Sequence, residues 1–257
     1  MTRVALVLLI ATTGCGRSGF GDDDLADGRL PELVGFPTPT SGVSPTPVPT
    51  GIPQCEESSD PDLVRCWPFD GSSTNASSYG GNQSVANLGY VSGVVGSAAS
   101  FGSSTNFSIT HDAIFNGPDI TIEGWIRIAS LPSSRVTLVH KDPSYRLSIA
   151  PSGALQCLVD QDDSLSTMAG TIPIGAWVHI ACTHRAGSGN RHRIYVNGVE
   201  VADAAAQDGL ATSTQDLRVG ETSGGAEQFV GWIDALRLWR VARTGAQVCA
   251  AAGGTGC

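Results

Sequence analysis

Short runs of alternating apolar residues, separated by turn formers, follow one another along the chain from Leu63 onward. Alternation with a period of two places every second side chain on one face of a β-strand, and sustained helical periodicity is nearly absent. The runs are LVRCWPF, FSIT, ITIEGWIRI, VTLVHK, YRLSIA, ALQCLVD, WVHIACTH, RIYVNGVEVA, DLRVG and FVGWIDALRLW. Ten or more strands predict an all-β fold, a two-sheet antiparallel jelly-roll sandwich.

Two local signals refine this prediction. Asn197-Gly198 lies between RIYV and VEVA and favours a type I′ hairpin, because both residues accept a positive φ. Thr244 followed three residues later by Gln247 resembles a capping box. It predicts a short C-terminal helix over AQVCAAA that ends at Gly253-Gly254.

The N-terminus has the layout of an export signal. Arg3 precedes a short apolar run and then small residues up to Cys15, and the run is too short to span a bilayer. This segment resembles a bacterial lipoprotein signal, which implies a signal peptide at 1–14 and a lipid on Cys15. An ordinary secretory signal, with Cys15 incidental, is the alternative, and the protein would then be secreted.

Residues 15–54 contain few side chains that could form a core. They begin acidic and end in alternating Pro and Thr or Ser, a composition typical of an extended, solvated segment. We expect a tether that holds the following domain, 55–257, away from a membrane that only the lipid anchor touches. Gly16 after Cys15 favours the outer membrane of the cell envelope.

Charge and cysteine content narrow the classes of function. The formal net charge is −9, only 15% of residues are charged, and no basic stripe occurs, which argues against nucleic acid as a partner. Apart from Cys15 the chain has six cysteines, an even number that favours disulfides in an exported protein. They are Cys55, Cys66, Cys157, Cys182, Cys249 and Cys257.

The order of several motifs over 63–248 carries a family resemblance. CWPFDG, GSAASFGSSTNFSIT, DITIEGWIRI, AWVHIACTH, RIYVNGVEV and FVGWIDALRLW follow one another along the chain. In this order they resemble the laminin-G-like, concanavalin A-like jelly rolls, a superfamily that includes pentraxins and legume lectins. The resemblance implies a Cys157–Cys182 bridge, with Cys249–Cys257 closing the C-terminal turn and Cys55–Cys66 fastening the tether. The alternative joins Cys55 to Cys249 or Cys257.

A carboxylate in the last strand run requires an explanation. Alternation places Asp234 on the same face as Val230, Trp232, Leu236 and Leu238. An ionised carboxylate among apolar neighbours has a raised pKa unless a cation or several hydrogen-bond donors compensate it.

The resemblance supplies one explanation, a structural calcium ion at the edge of the sandwich. Many members of the superfamily bind it with an Asp of the last strand, a contribution from the first strand and backbone carbonyls. The matching positions are Asp234, Asp70 and the backbone oxygen near Gly96. The alternative is that Asp234 accepts backbone N–H groups or pairs with Arg65 or Arg237.

Catalytic motifs are weak in this sequence. Retaining glycosidases of this fold need two close carboxylates, whereas Glu123 stands alone in TIEGW. His179 in the Trp-x-His motif is expected to be a packed, hydrogen-bonded residue. Candidate stacking platforms for sugars are Tyr79, Tyr90 and Tyr145, which lie in predicted loops.

These observations predict a non-catalytic cell-surface module that binds a glycan or a surface protein through loops at the rim of the sandwich. A structural or assembly component of the cell envelope without a small ligand is the alternative. A divergent glycoside hydrolase is a third possibility.

Overall fold

The computed structural model describes residues 51–55, 57–161, 163–187, 189, 191–206 and 209–254, which belong to one compact unit. The expected signal peptide at 1–14, the expected lipidation site Cys15 and most of the expected tether therefore lie outside the described residues, as does Cys257. Within the described part, no helix has the length and apolar character needed to cross a membrane.

Fifteen strands and one α-helix form the described part of the chain. The strands are β1 (Leu63–Trp67), β2 (Gln83–Ala86), β3 (Gly89–Ser92), β4 (Ser97–Phe101), β5 (Asn106–Ile109), β6 (Ile120–Arg127), β7 (Val136–Lys141), β8 (Tyr145–Ile149), β9 (Leu155–Val159), β10 (Asp163–Ser166), β11 (Val178–Arg185), β12 (Arg191–Val196), β13 (Val199–Ala205), β14 (Leu217–Val219) and β15 (Gly231–Trp239). A single 3₁₀ turn spans Ala113–Phe115, and α1 spans Gly245–Ala251.

The strands form two antiparallel sheets. Sheet A has the order β13-β12-β11-β6-β15-β4-β3, and β1 also pairs with β15; sheet B has the order β10-β9-β8-β7-β14-β5-β2. The predicted two-sheet jelly roll with a short C-terminal helix is confirmed. The pairing of β1 with β15 also places the first and last strands side by side.

Strand β6 shows why the alternating pattern specifies this fold. Its isoleucines at every second position, Ile120, Ile122 and Ile126, are buried in the main core between the sheets. The intervening residues, among them Glu123 and Trp125, face the outer side of sheet A. Aromatic rings of β1, β4 and β5 and the turns beside them fill one end of the same core, with the Trp67 and Phe107 centroids 5.5 Å apart.

Two of the expected disulfides are present. Cys157 of β9 in sheet B bonds to Cys182 of β11 in sheet A, so this bridge links the two sheets across the core. Cys55 bonds to Cys66 of β1, which excludes the alternative pairing of Cys55 with the C-terminal cysteines. The expected partner of Cys249, Cys257, lies outside the described residues.

The predicted turn and helix cap are also confirmed. Asn197 and Gly198 have φ values of +48° and +77° between β12 and β13. The Thr244 side chain accepts from the backbone N–H of Gln247, and the Gln247 side chain accepts from the backbone N–H of Thr244. Both ends of a capping box are therefore satisfied at the start of α1.

The last residues of the expected tether contact the domain. Ile52 is buried against Val94, Trp125 and Ala235, and the Gln54 side chain donates to the carbonyl of Val95 at 3.1 Å. The packed part of the chain thus includes residues that precede the expected boundary at residue 55.

Candidate functional site

A β-bulge in β15 changes the face on which Asp234 lies. The pairing of β15 with β6 shifts between Asp234 and Arg237, and Ala235 has a φ of +46°. As a result Ile233, Leu236 and Leu238 point into the main core, whereas Asp234 lies on the outer side of sheet A opposite Trp125. The prediction that Asp234 shares the face of Leu236 and Leu238 is therefore wrong, because strict alternation ends at the bulge.

Asp234 is nevertheless fully buried and only partly compensated. Its Oδ2 accepts from the backbone N–H groups of Val94 at 2.7 Å and Val95 at 3.2 Å. Its Oδ1 is buried and has no hydrogen-bond partner among the described residues. Burial raises the pKa of Asp234 to about 6, although these backbone donors oppose the shift and the nearby Asp70 adds to it.

Asp70 lies beside the same loop. It follows β1 and its Oδ1 accepts from the backbone N–H of Ser97 at 2.7 Å, at the start of β4. Gly96 has a φ of +61°, and a Cβ at this position would overlap the Asp70 carboxylate. A Cβ at Gly93 would likewise overlap Asp234 Oδ2. Two carboxylates therefore hold the 93–96 loop by its backbone, and the glycines permit this close approach.

The structure brings together the three positions expected to bind calcium. Calcium takes six to eight oxygen ligands and accepts carboxylates beside backbone carbonyls. The unpartnered, buried Oδ1 of Asp234 and the adjacent Asp70 carboxylate fit that preference. The Gly96 carbonyl accepts from the Gly93 N–H at 3.0 Å and retains a second lone pair.

The alternative to calcium was that Asp234 accepts backbone N–H groups or pairs with an arginine, and only the backbone hydrogen bonds are found. Two N–H groups do reach Asp234 Oδ2, but neither expected arginine forms an ion pair with it in the described part of the chain. Arg65 packs over the Phe115 ring at 4.7 Å, and Arg237 pairs with Glu57 and Glu123. Asp234 Oδ1 thus has no hydrogen-bond partner among the described residues, and the backbone N–H groups of Val94, Val95 and Ala235 are the groups that favour the ionised form.

The hairpin held by these carboxylates exposes one of the three candidate aromatic platforms. Tyr90 in β3 is 38% exposed and its neighbour Val91 is 40% exposed. Tyr79 is half-buried and its hydroxyl donates to the carbonyl of Pro61 at 2.8 Å. Tyr145 is 2% exposed in β8, so its interpretation as a loop platform is wrong, because it begins a strand and faces the core.

Glu123 lies in a buried cluster of charges on the outer side of sheet A. Its Oε1 accepts from Trp239 Nε1 at 2.9 Å and pairs with the guanidinium groups of Arg237 and Arg243. Both arginines also reach Glu57, at 3.2 and 3.3 Å. Burial alone would raise the pKa of Glu123, but Arg237 and Arg243 hold it below its usual range. These contacts indicate that Glu123 is a structural ion-pair partner.

His179 lies beside this cluster and differs in part from the prediction. Its ring is fully buried and meets Trp125 edge-on at a centroid distance of 5.5 Å. Neither ring nitrogen has a hydrogen-bond partner within the described ranges. The packed state is confirmed, but the expected side-chain hydrogen bond is not found. Burial lowers the pKa of His179 to about 4, against the attraction of Glu123.

Among the described residues, Cys157, Cys182 and His192 form a further cluster of possible metal-binding groups. Both sulfur atoms belong to the inter-sheet disulfide, and a thiolate is the form of cysteine that binds metals. We therefore interpret this cluster as part of the core.

Residues 101–249, more than half of the chain, match the concanavalin A-like lectin/glucanases superfamily, and the chain belongs to this superfamily. No curated protein matches the sequence.

Solved structures match over about three quarters of the chain. Domain 4 of AbnA, a GH43 extracellular arabinanase from Geobacillus stearothermophilus solved in complex with arabinotriose, has a TM-score of 0.61 and 22% identity, covering 74% of this chain and 98% of that one. The binding domain of Paraclostridial Mosquitocidal Protein 1 has a TM-score of 0.61 and 16% identity, covering 74% and 52%. The binding domain of Botulinum Neurotoxin DC in complex with SialylT has a TM-score of 0.57 and 14% identity, covering 75% and 51%. The chain thus spans about half of each toxin domain.

Asp70, Asp234 and the Gly96 carbonyl form the rim site, and both carboxylates are predictable from the sequence, whereas the backbone groups that hold them are not. The backbone donors of Val94, Val95 and Ser97 carry no side-chain signal. Gly93 and Gly96, spaced three apart in SGVVGS, were the available hint of a close backbone approach.

Proposed function

We propose that this chain is a non-catalytic binding module that recognises a glycan at the rim of the sandwich, through the β3–β4 hairpin. The observation that carries this proposal is the clamping of the 93–96 loop by Asp70 and Asp234, in the same hairpin as the exposed Tyr90 of β3. A hairpin that combines a rigid backbone with an exposed aromatic ring suits sugar recognition, because the ring covers apolar sugar faces and the loop supplies polar groups. The complexes of similar folds with arabinotriose and SialylT support this ligand class.

Calcium is part of this proposal. Asp234 and Asp70 would hold the ion, together with the Gly96 carbonyl. When bound, the ion would supply the positive charge that the buried Asp234 oxygen lacks and would fix the hairpin in its binding conformation.

The cellular setting follows from the N-terminal segment. A lipid on Cys15 and the Pro/Thr-rich tether would display the domain on the cell envelope, with the outer membrane as the proposed site of the anchor. Release as a secreted domain is the alternative. Disulfides that link Cys157 to Cys182 and Cys55 to Cys66 support an oxidising, extracytoplasmic location.

A glycan array tests the proposed binding. We expect the purified protein to bind a defined set of glycans, and Tyr90→Ala to weaken that binding about tenfold, or about 1.4 kcal/mol, since exposed aromatic residues often carry much of the binding energy. EDTA should reduce the binding as well. Met168→Ala is the matched control, because Met168 is 85% exposed in a different loop. An array without any bound glycan, or equal losses for the two variants, would contradict the proposal.

A second candidate is a protein-binding or assembly role in the envelope. Val199 and Val201, 65% and 45% exposed, lie on β13, the edge strand of sheet A. Exposed apolar residues on a strand edge suit pairing with another protein. A flat glycan array together with a captured envelope protein, lost on Val199→Lys, would favour this candidate.

The divergent glycosidase finds little support at Glu123. Hydrolysis of a glycosidic bond with retention of configuration needs a second carboxylate about 5–5.5 Å from the first, in a groove that admits the sugar. Glu123 is instead fully buried against two arginines. Release of reducing sugar that Glu123→Gln abolishes would restore this candidate.

A further inference from the structure

Four arginines line one small cavity on the outer side of sheet A. Arg185, Arg191, Arg193 and Arg243 surround a space of about 70 Å³, and no acidic residue belongs to its lining. One water molecule needs about 10–15 Å³ by this measure, so the cavity has room for a group of several heavy atoms. Such a concentration of positive charge is notable in a chain whose net charge is −9.

The strand register explains why the arginines converge. Arg185 of β11 is the direct antiparallel partner of Arg191 of β12, and Thr183 is the partner of Arg193. The side chains of these two cross-strand pairs therefore point to the same face of sheet A. Like charges directly opposite each other on a sheet destabilise it, so an Arg185–Arg191 pair is expected to attract an anion.

Acidic side chains outside the lining neutralise only part of this charge. Arg191 and Arg193 both pair with Asp203 of β13, and Arg193 also pairs with Glu200 of the same strand. Arg243 pairs with Glu57 and Glu123. Arg185, in contrast, is exposed and has no ion-pair partner in the part of the chain that the structure describes.

One buried donor of the lining also lacks an acceptor. The Nε atom of Arg243 is buried and makes no hydrogen bond with the described residues, and Arg243 as a whole is only 7% exposed. A buried guanidinium donor without an acceptor costs free energy. The planar guanidinium fork matches the oxygens of carboxylate and sulfate groups.

We infer that this cavity, the arginine pocket, binds a carboxylate or sulfate group of an acidic saccharide. It is distinct from the rim site, because β11 lies three strand positions from β4 in sheet A, on the order of 14 Å at about 4.8 Å per strand. Only the choice of a saccharide as the carrier of the anion rests on the proposed function. The anion site itself rests on the arginines.

Inorganic sulfate tests the anion site without any assumption about glycans. We expect calorimetry at constant ionic strength to show sulfate binding to the purified protein with chloride as the competing ion. Arg185→Gln should weaken it about tenfold, because a charge-assisted hydrogen bond is lost. Arg193→Gln should act in the same direction.

Arg135→Gln is the control, because Arg135 is exposed, pairs with Glu227 and lies just before β7 of sheet B. It makes the same change in charge and should leave the sulfate affinity unchanged. The absence of sulfate binding, or equal weakening by Arg135→Gln and Arg185→Gln, would overturn the anion site.

Oligosaccharides of equal length then identify the carrier. We expect a uronate or a sulfated oligosaccharide to bind more tightly than sulfate, and a neutral one to show no dependence on Arg185. Sulfate binding without binding of either acidic oligosaccharide would overturn the saccharide assignment. Tyr90→Ala should leave this binding unchanged, so a failure of the rim site and a failure of the arginine pocket are distinguishable.

Discussion

Replacing Glu123 with glutamine should lower the free energy of unfolding by about 3–5 kcal/mol, the typical cost of removing one partner from a buried ion pair. Arg237 is fully buried and Arg243 nearly so, and both would lose their buried counter-charge. Glu57 is only half-buried and would compensate them in part. Urea unfolding of the wild type and the variant at neutral pH measures this difference.

The matched control for this experiment is Asp62→Asn. Asp62 pairs with Arg240 at 2.9 Å, and both side chains are 39% exposed. An exposed ion pair of this kind contributes little to stability, because water and salt screen it. Equal losses for Glu123→Gln and Asp62→Asn would show that the cluster around Glu123 does not hold the outer side of sheet A together.

Acid should destabilise the protein through His179. The pKa of His179 is about 4 in the folded protein and about 6.5 in an unfolded chain, so the unfolded chain takes up the proton first as the pH falls. The resulting decrease in the free energy of unfolding begins near pH 6.5 and is complete below pH 4. Between pH 7 and pH 4.5 it amounts to about 2 kcal/mol.

The variant His179→Phe isolates this contribution. Phenylalanine keeps a ring beside Trp125 and removes the titration, while Glu123, Arg237 and Arg243 remain around it. Asp234 has the opposite effect on stability. Its pKa is raised in the folded protein, so its protonation at lower pH stabilises the fold, equally in the wild type and in the variant. We therefore expect urea unfolding to give a loss between pH 7 and pH 4.5 that is about 2 kcal/mol smaller for His179→Phe. Identical pH dependence in the two proteins would contradict the assignment.

The sequence predicts the sandwich well because alternation is a local property that long strands preserve. In β6 the inward positions are Ile120, Ile122, Gly124 and Ile126. The three isoleucines are buried in the core, and the glycine has no side chain. The same rule fails in β15, because the positive φ of Ala235 inserts a bulge that no residue type announces. The predicted strand runs do not include β2, β3, β4 or β10. Strands β2 and β3 are largely exposed, and β4 consists mostly of small residues, so these three lack an apolar alternation.

Residues of the candidate sites can be predicted from the sequence only where they belong to a recognisable motif. The family resemblance led to Asp70, Asp234 and the Cys157–Cys182 bridge. Glu123 occupies an outward position of β6, and its burial depends on Glu57 and Arg243, which are distant in sequence. Contacts between such distant segments leave no local pattern, and the arginine pocket likewise depends on the register of β11 with β12.

Calcium-dependent melting of the purified protein tests the rim site most directly. After treatment with EDTA, free calcium at about 100 times the Kd should stabilise the fold by about 2.7 kcal/mol, a rise in Tm of about 5–10 °C for a domain of this size. Asp234→Asn should abolish the rise and, without calcium, melt no lower than the wild type, because it removes a buried charge that backbone N–H groups compensate only in part. Asp62→Asn should retain the full rise. A wild-type Tm that does not change with calcium, or a rise in Tm that persists in Asp234→Asn, would contradict calcium binding at the rim site.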